Sequence, residues 1–206
     1  MTREEQKEIR ELKKLLPIEL RKQSKEFGFQ FAHGFLYRFE GDFLYYAILD
    51  ISSNRSLTMT TLIKPWILNE LYWEIQQMNM EEMRAQPKSF HMRGAFTIND
   101  IFYRNDSVPY DKDNLGQAVH EALVQFNVSI KEHLTNIQAI TCDMEGYRIS
   151  NLTKALALIY SHDYENALHL LLQEDLVNDT YIHVSGKGKT AKDYAVDFCR
   201  VILNDK

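Results

Sequence analysis

Phe35-Leu36-Tyr37-Arg38-Phe39-Glu40-Gly41-Asp42-Phe43-Leu44-Tyr45-Tyr46-Ala47-Ile48-Leu49-Asp50-Ile51 is the stretch on which the fold turns. Phe35, Tyr37 and Phe39 alternate with Leu36 and Arg38, the two-residue period of a strand. Glu40-Gly41-Asp42 is a turn signal, so a hairpin is expected. The run from Phe43 to Ile51 is apolar at both parities, which suits a central strand covered on both faces. Ser52 to Arg55 is polar and turn-like, and Leu57, Met59, Thr61 and Ile63 then alternate in a third strand. Nine aromatic residues between Phe27 and Tyr46 suit a sheet with a heavily packed face.

Helices are expected on either side. Ile9, Leu12, Leu15 and Leu16 recur at helical spacing among charges, giving a helix over 2–27 with a break near 16–17, where Pro17 lacks an N–H. Gly28 should stop it. Pro65 opens a second helix with the apolar stripe Ile67, Leu68, Leu71, Tyr72, Ile75 and Met78. A further strand is expected at 89–98, then the short apolar group Ile101, Phe102 and Tyr103, then a polar loop over 105–114 holding Pro109. Leu115, Val119, Ala122, Phe126 and Ile130 line one face of a long helix from about 112 to the mid-130s. Beyond 149 come Leu152 to Tyr160, then Ala167 to Leu172 after the turn Ser161-His162-Asp163, a short strand over Tyr181–Val184, and a last helix through Ala191, Tyr194, Ala195, Phe198 and Ile202. The expected class is α+β: an antiparallel sheet of about four or five strands packed against helices, with a helical C-terminal extension. The expected division is 1–148 for the α+β domain and 149–206 for the helical part, packed on the first.

Composition excludes several functions. The 206 residues are 45% hydrophobic and 26% charged, with 8 Gly and 4 Pro, so collagen-like and low-complexity disordered chains are ruled out. No apolar run is long enough for a membrane helix. The charged start, Met1 to Lys14, does not read as a secretory signal. With only Cys142 and Cys199 there is no disulfide framework, and a cytoplasmic setting is expected. Residues 1–105 hold 15 Lys and Arg against 14 Asp and Glu, whereas 106–206 hold 9 against 15. That acidic half argues against nucleic-acid binding and permits a basic protein partner.

The chemical motifs fail on inspection. Ser185-Gly186-Lys187-Gly188-Lys189-Thr190 imitates a phosphate-binding loop, but His183 stands where the first glycine is required. Thr190 reads instead as a helix cap, with Asp193 completing a capping box. Asp111-Lys112-Asp113-Asn114-Leu115-Gly116 imitates a calcium loop but has Leu115 and Ala122 where oxygen ligands are needed. The seven histidines form no ligand spacing, and Cys142 lies near Asp143 and Glu145, which disfavour a thiolate. Asp163 to Leu168 has the texture of one tetratricopeptide helix pair without the rest of an array. No catalytic, cofactor-binding or metal-ligating residue is therefore assigned. What recurs is Tyr-Arg: Tyr37-Arg38, Tyr103-Arg104 and Tyr147-Arg148. Exposed Tyr and Arg are common anchors of protein interfaces, and Tyr37, Arg38, Tyr103 and Arg104 are the candidate interaction residues.

The order of elements over 15–134, a helix ending in Phe27-Gly28-Phe29 that feeds the strand with Tyr37-Arg38, resembles a bacterial family of small cytoplasmic domains of unknown function. The resemblance implies no catalytic residues. By analogy with small bacterial domains that look like immunity proteins, it implies a binding role. The expected function is a non-enzymatic protein-binding module; the alternative is a small enzyme or binding protein for a phosphate-bearing or polar ligand.

Overall fold

A computed structural model describes residues 2–53, 56–93, 97–110, 114–134, 136–173 and 189–204, and the fold is α+β, with a five-stranded antiparallel sheet, flanking helices and a C-terminal helix. The chain forms two compact units from interleaved stretches: Met1–Glu40, Leu44–Ile63 and Tyr103–Leu134 in one, Gly41–Phe43, Lys64–Phe102 and Thr135–Lys206 in the other.

The first unit opens with α1, Arg3–Gln23, capped by a reciprocal pair: the Thr2 side chain accepts from the Glu5 N–H and the Glu5 carboxylate accepts from the Thr2 N–H. The helix runs unbroken through Pro17, contrary to the expected break. Leu12, Leu16 and Leu20 are buried in one row, so tertiary burial holds the helix across the lost bond. The acceptor that Pro17 strands is the carbonyl of Lys13, an exposed residue open to solvent. A 3-10 turn, Ser24–Phe27, follows, and Gly28 ends it at φ +72°, the left-handed conformation glycine adopts without strain.

The sheet is ordered β1 (Gln30–Ala32), β2 (Phe35–Glu40), β3 (Phe43–Ile51), β4 (Ser56–Lys64) and β5 (Phe102–Pro109). The short β1, absent from the sequence reading, pairs antiparallel with β2 as Gln30↔Tyr37, Phe31↔Leu36 and Ala32↔Phe35. His33 and Gly34, at φ 51° and 83°, make the tight turn between them. β3 is central, and its residues are buried at both parities. The helix α5, Leu115–Glu132, lies against α1 and buries Val119, Ala122, Leu123, Phe126 and Ile130. The Phe126 ring meets that of Phe29 at 5.0 Å between centroids.

Two expected elements are corrected. The strand expected at 89–98 is instead the helix Lys88–Arg93 over its first part, which we number α4. Pro87 occupies the entry to this helix, and its carbonyl accepts from the Phe90 N–H at 2.9 Å, so the proline outweighs the aromatic character of the segment. The polar loop expected at 105–114 is, over its first part, the strand β5. Phe102 and Val108 are buried while Tyr103, Asn105, Ser107 and Pro109 are exposed, a half-buried alternation at the end of the sheet.

In the second unit, α2 (Leu68–Ile75) is followed by α3 (Met80–Ala85) and α4, and later by a 3-10 turn at Ile137–Thr141 and the helices α6 (Asn151–Tyr160), α7 (Tyr164–Leu172) and α8 (Ala191–Asn204). The turn Ser161-His162-Asp163 makes α6 and α7 neighbours; α8 packs on α7, and α2 packs on both α6 and α8. Asp42 ties two loops, accepting from the Ile67 N–H at its carbonyl (3.1 Å) and from the Ile137 N–H at its carboxylate (2.7 Å). Among the described residues no helix is long and apolar enough to cross a membrane.

Candidate interaction site

The Tyr-Arg pairs have different surroundings. Tyr37 is buried in the sheet at 6% exposure. The Arg38 guanidinium donates to the Phe27 carbonyl (3.3 Å) and the Asn127 side-chain oxygen (3.1 Å), pairs with Glu40 (3.0 Å) and lies 5.0 Å from the centre of the Phe29 ring. It ties β2 to the turn after α1 and to α5, so its two terminal nitrogens are engaged inside the fold. Tyr147 sits against Phe102, ring to ring at 5.2 Å.

Tyr103 and Arg104 sit on β5 and point to opposite faces. Tyr103 is 51% exposed. Its hydroxyl accepts from the Asn105 amide at 3.0 Å, and the Asn105 oxygen accepts from the Thr60 hydroxyl at 2.8 Å, a relay that steadies the ring along the strand. On the other face, Arg104 pairs with Asp106 at 2.8 Å, both partly exposed.

The backbone direction of β5 is set at its start. Phe102 bridges Tyr147, and the Arg148 N–H donates to the Ile101 carbonyl at 2.7 Å, so the Ile101 carbonyl points away from β4. Backbone direction repeats every second residue. Tyr103, Asn105 and Ser107 therefore direct their N–H and C=O groups outward, and Arg104, Asp106 and Val108 direct theirs into the ladder. Pro109 falls in the outward row, where its missing donor costs no ladder bond. Among the described residues no strand pairs with the outer edge of β5 after Phe102. The sequence reading missed this edge; Pro109 and the polar run between Phe102 and Val108 were its signals.

Near Arg104, His133 has its pKa lowered, first by burial and then by the Arg104 charge, with Glu132 opposing. The unfolded chain therefore protonates this imidazole at higher pH than the native one. Stability must fall as pH drops below the ordinary histidine value toward the native value. We expect the melting temperature to drop more between pH 7 and pH 5 in the wild type than in His133→Gln, as read by calorimetry.

The remaining candidates are placed as follows. Lys189 binds the Asp197 carboxylate, which raises the lysine pKa, and lies 5.6 Å from the Tyr194 ring centre. Thr190 and Asp193 form the capping box: the Asp193 N–H donates to the Thr190 hydroxyl oxygen (3.1 Å) and the Thr190 N–H to the Asp193 carboxylate (2.7 Å). The segment 185–188, the strand suggested at 181–184 and the start of the calcium-like loop, 111–113, lie outside the described residues. Magnesium-ATP should give no saturable heat in a calorimetric titration; micromolar binding lost in Lys189→Ala would contradict this. Cys199 is buried, and burial pushes its thiol up to about 11. Among the described residues no three His, Cys, Asp or Glu are grouped to hold a metal ion. A groove of about 450 Å³ in the helical unit is lined by Leu71, Ile159, Tyr160, His162, Tyr164 and Phe198. Its polar feature is the His162–Tyr164 hydrogen bond (2.9 Å), and with no Lys or Arg in its lining it is poorly suited to phosphate.

Comparison of the chain with protein-family models, with curated proteins and with solved structures finds no match in any of the three.

Proposed function

We propose that this chain is a non-enzymatic protein-binding module of a bacterial cytoplasm, immunity-protein-like in that it acts by occupying a partner, and that it binds through the outer edge of β5. The observation that carries the reading is the eight-residue edge strand, with an outward backbone row at Tyr103, Asn105 and Ser107 and an exposed tyrosine steadied by hydrogen bonds. An extended segment can add to such an edge, main-chain bonds giving affinity and flanking side chains giving selectivity. The ordered Tyr103 ring supplies contact area at a small entropic cost. Asp106, Asp143 and Asp197 are paired with Arg104, Lys154 and Lys189, while Asp163 and Asp193 cap helices.

A photoreactive benzoylphenylalanine in place of Tyr103, in the full chain within a bacterial cell, should give a discrete protein adduct that Ser107→Pro abolishes. The same group in place of Tyr160, exposed on the helical unit, is the control. Adducts from the Tyr160 position alone, or adducts at Tyr103 indifferent to Ser107→Pro, would overturn the reading.

A further inference from the structure

The groove of the helical unit carries a chemistry of its own: we infer that it binds the quaternary ammonium group of a small organic cation of the choline type. The inference does not rest on the β5 edge. Leu71, Ile159, Tyr160, His162, Tyr164 and Phe198 line a space of about 450 Å³, within the range of small-molecule sites. Four of the six side chains are rings. Those of His162 and Tyr164 stand 6.0 Å apart at 58°, so they make a corner rather than a stack. The hydrogen bond between His162 Nδ1 and the Tyr164 hydroxyl, 2.9 Å, holds that corner. His162 reaches it from φ 63°. Its N–H donates to the Ile159 carbonyl and the Asp163 N–H to that of Leu158, so it fills the left-handed position after α6 where glycine is the usual residue. A histidine there places an imidazole on the groove wall that glycine would not supply.

Charge and hydrogen bonding select the ligand. No Lys or Arg lines the groove, so a carboxylate or phosphate would enter it without a partner. No Asp or Glu lines it either, so a primary ammonium would leave its donors unmet. A quaternary ammonium has no N–H to satisfy, and the faces of Tyr and Phe rings attract its charge. The surrounding field favours a cation over a neutral ligand. α6 ends at Tyr160, and the C-terminal pole of a helix is negative. The positive pole of α7 is met by the Asp163 carboxylate, which caps it. The turn 161–163 and the helices α2, α6, α7 and α8 together carry six Asp and Glu against three Lys and Arg. Of the three bases, Lys154 is paired with Asp143. Glu74 lies one turn along α2 from Leu71 and has no ion pair among the described residues.

Titration of the full chain with choline at constant ionic strength, read by the NMR shifts of its aromatic rings, tests this. The comparison ligand is the neutral alcohol in which carbon replaces the charged nitrogen of choline. Choline should give saturable shifts at Tyr160, Tyr164 and Phe198. The neutral alcohol should bind about tenfold more weakly or worse, a difference of about 1.4 kcal/mol or more, because it has the shape without the charge. His162→Gly removes one wall at a position that glycine favours, and Tyr160→Leu removes a ring that is 41% exposed. Both variants should keep the wild-type circular dichroism spectrum and weaken choline binding by about fivefold or more. Tyr160→Phe, which keeps the ring, should bind within about twofold of the wild type. No saturable shift with choline, equal binding of the neutral alcohol, affinity unchanged in either ring-removing variant, or affinity lost in Tyr160→Phe would overturn the inference. Tighter binding of an N-acetyl trimethyl-lysine amide than of choline would overturn the choice of a small free cation in favour of a methylated protein side chain.

Discussion

Phe126→Ala is expected to cost about 4 kcal/mol of stability, the range for an aromatic truncated inside a packed core. Phe126 is fully buried on α5, among Val119, Ala122, Leu123 and Ile130 on the same face, and its ring lies 5.0 Å from that of Phe29. Phe29 also carries the Arg38 guanidinium at 5.0 Å. The truncation thus leaves a cavity at the point where α5, the end of α1 and β2 are tied. Alanine returns a few tenths of a kcal/mol through its higher helix propensity, far less than the cavity costs. Urea unfolding followed by circular dichroism should show the midpoint falling with little change in slope. A cost below about 1 kcal/mol would mean that this ring is not part of the core.

Arg38→Ala is expected to cost about 2 kcal/mol, within the range for hydrogen bonds to a charged donor. The loss comes from the bonds to the Phe27 carbonyl and Asn127 and from the contact with Phe29. The Glu40 partner is half exposed, so that ion pair adds little. The Arg38 Nε is buried without a hydrogen-bond partner among the described residues, a standing cost that the substitution removes, which keeps the figure moderate. Arg38→Lys should recover less than half, because one ammonium cannot bridge both acceptors and stack on the ring. Arg104→Ala, by contrast, should cost only about 0.5 kcal/mol, since its pair with Asp106 is partly solvated. The same unfolding series measures all three. Equal costs for Arg38→Ala and Arg104→Ala would contradict the division of labour between the two Tyr-Arg pairs.

That division explains what could be read from the residues alone. Periodicity made β3, β4 and the buried face of α5 legible, because each is repeated over several turns or pairs and has one physical cause, burial. The Thr190–Asp193 cap was legible because its chemistry is local. Pro17 misled because a proline's local cost is visible in sequence and the compensating burial of Leu12, Leu16 and Leu20 is not. The aromatic residues near 90 suggested a strand, while the deciding feature was Pro87 at a helix entry. β5 was hidden because an edge strand keeps only half of its alternation apolar. For the same reason Tyr37-Arg38 and Tyr103-Arg104 looked equivalent. Residue type and spacing are identical in the two pairs, and only the sheet order separates an inner strand from an outer one.

If β5 is the binding edge, its outward row at Asn105 and Ser107 is open and ready to pair. Residue-resolved amide hydrogen exchange on the full chain tests it most directly, since strand bonds within the ladder protect their amides and a free edge does not. In dilute solution the amides of Asn105 and Ser107 should exchange rapidly while those of Arg104, Asp106 and Val108 are protected. Strong protection of Asn105 and Ser107 in dilute solution would show that the edge is covered within the single chain and would contradict the account.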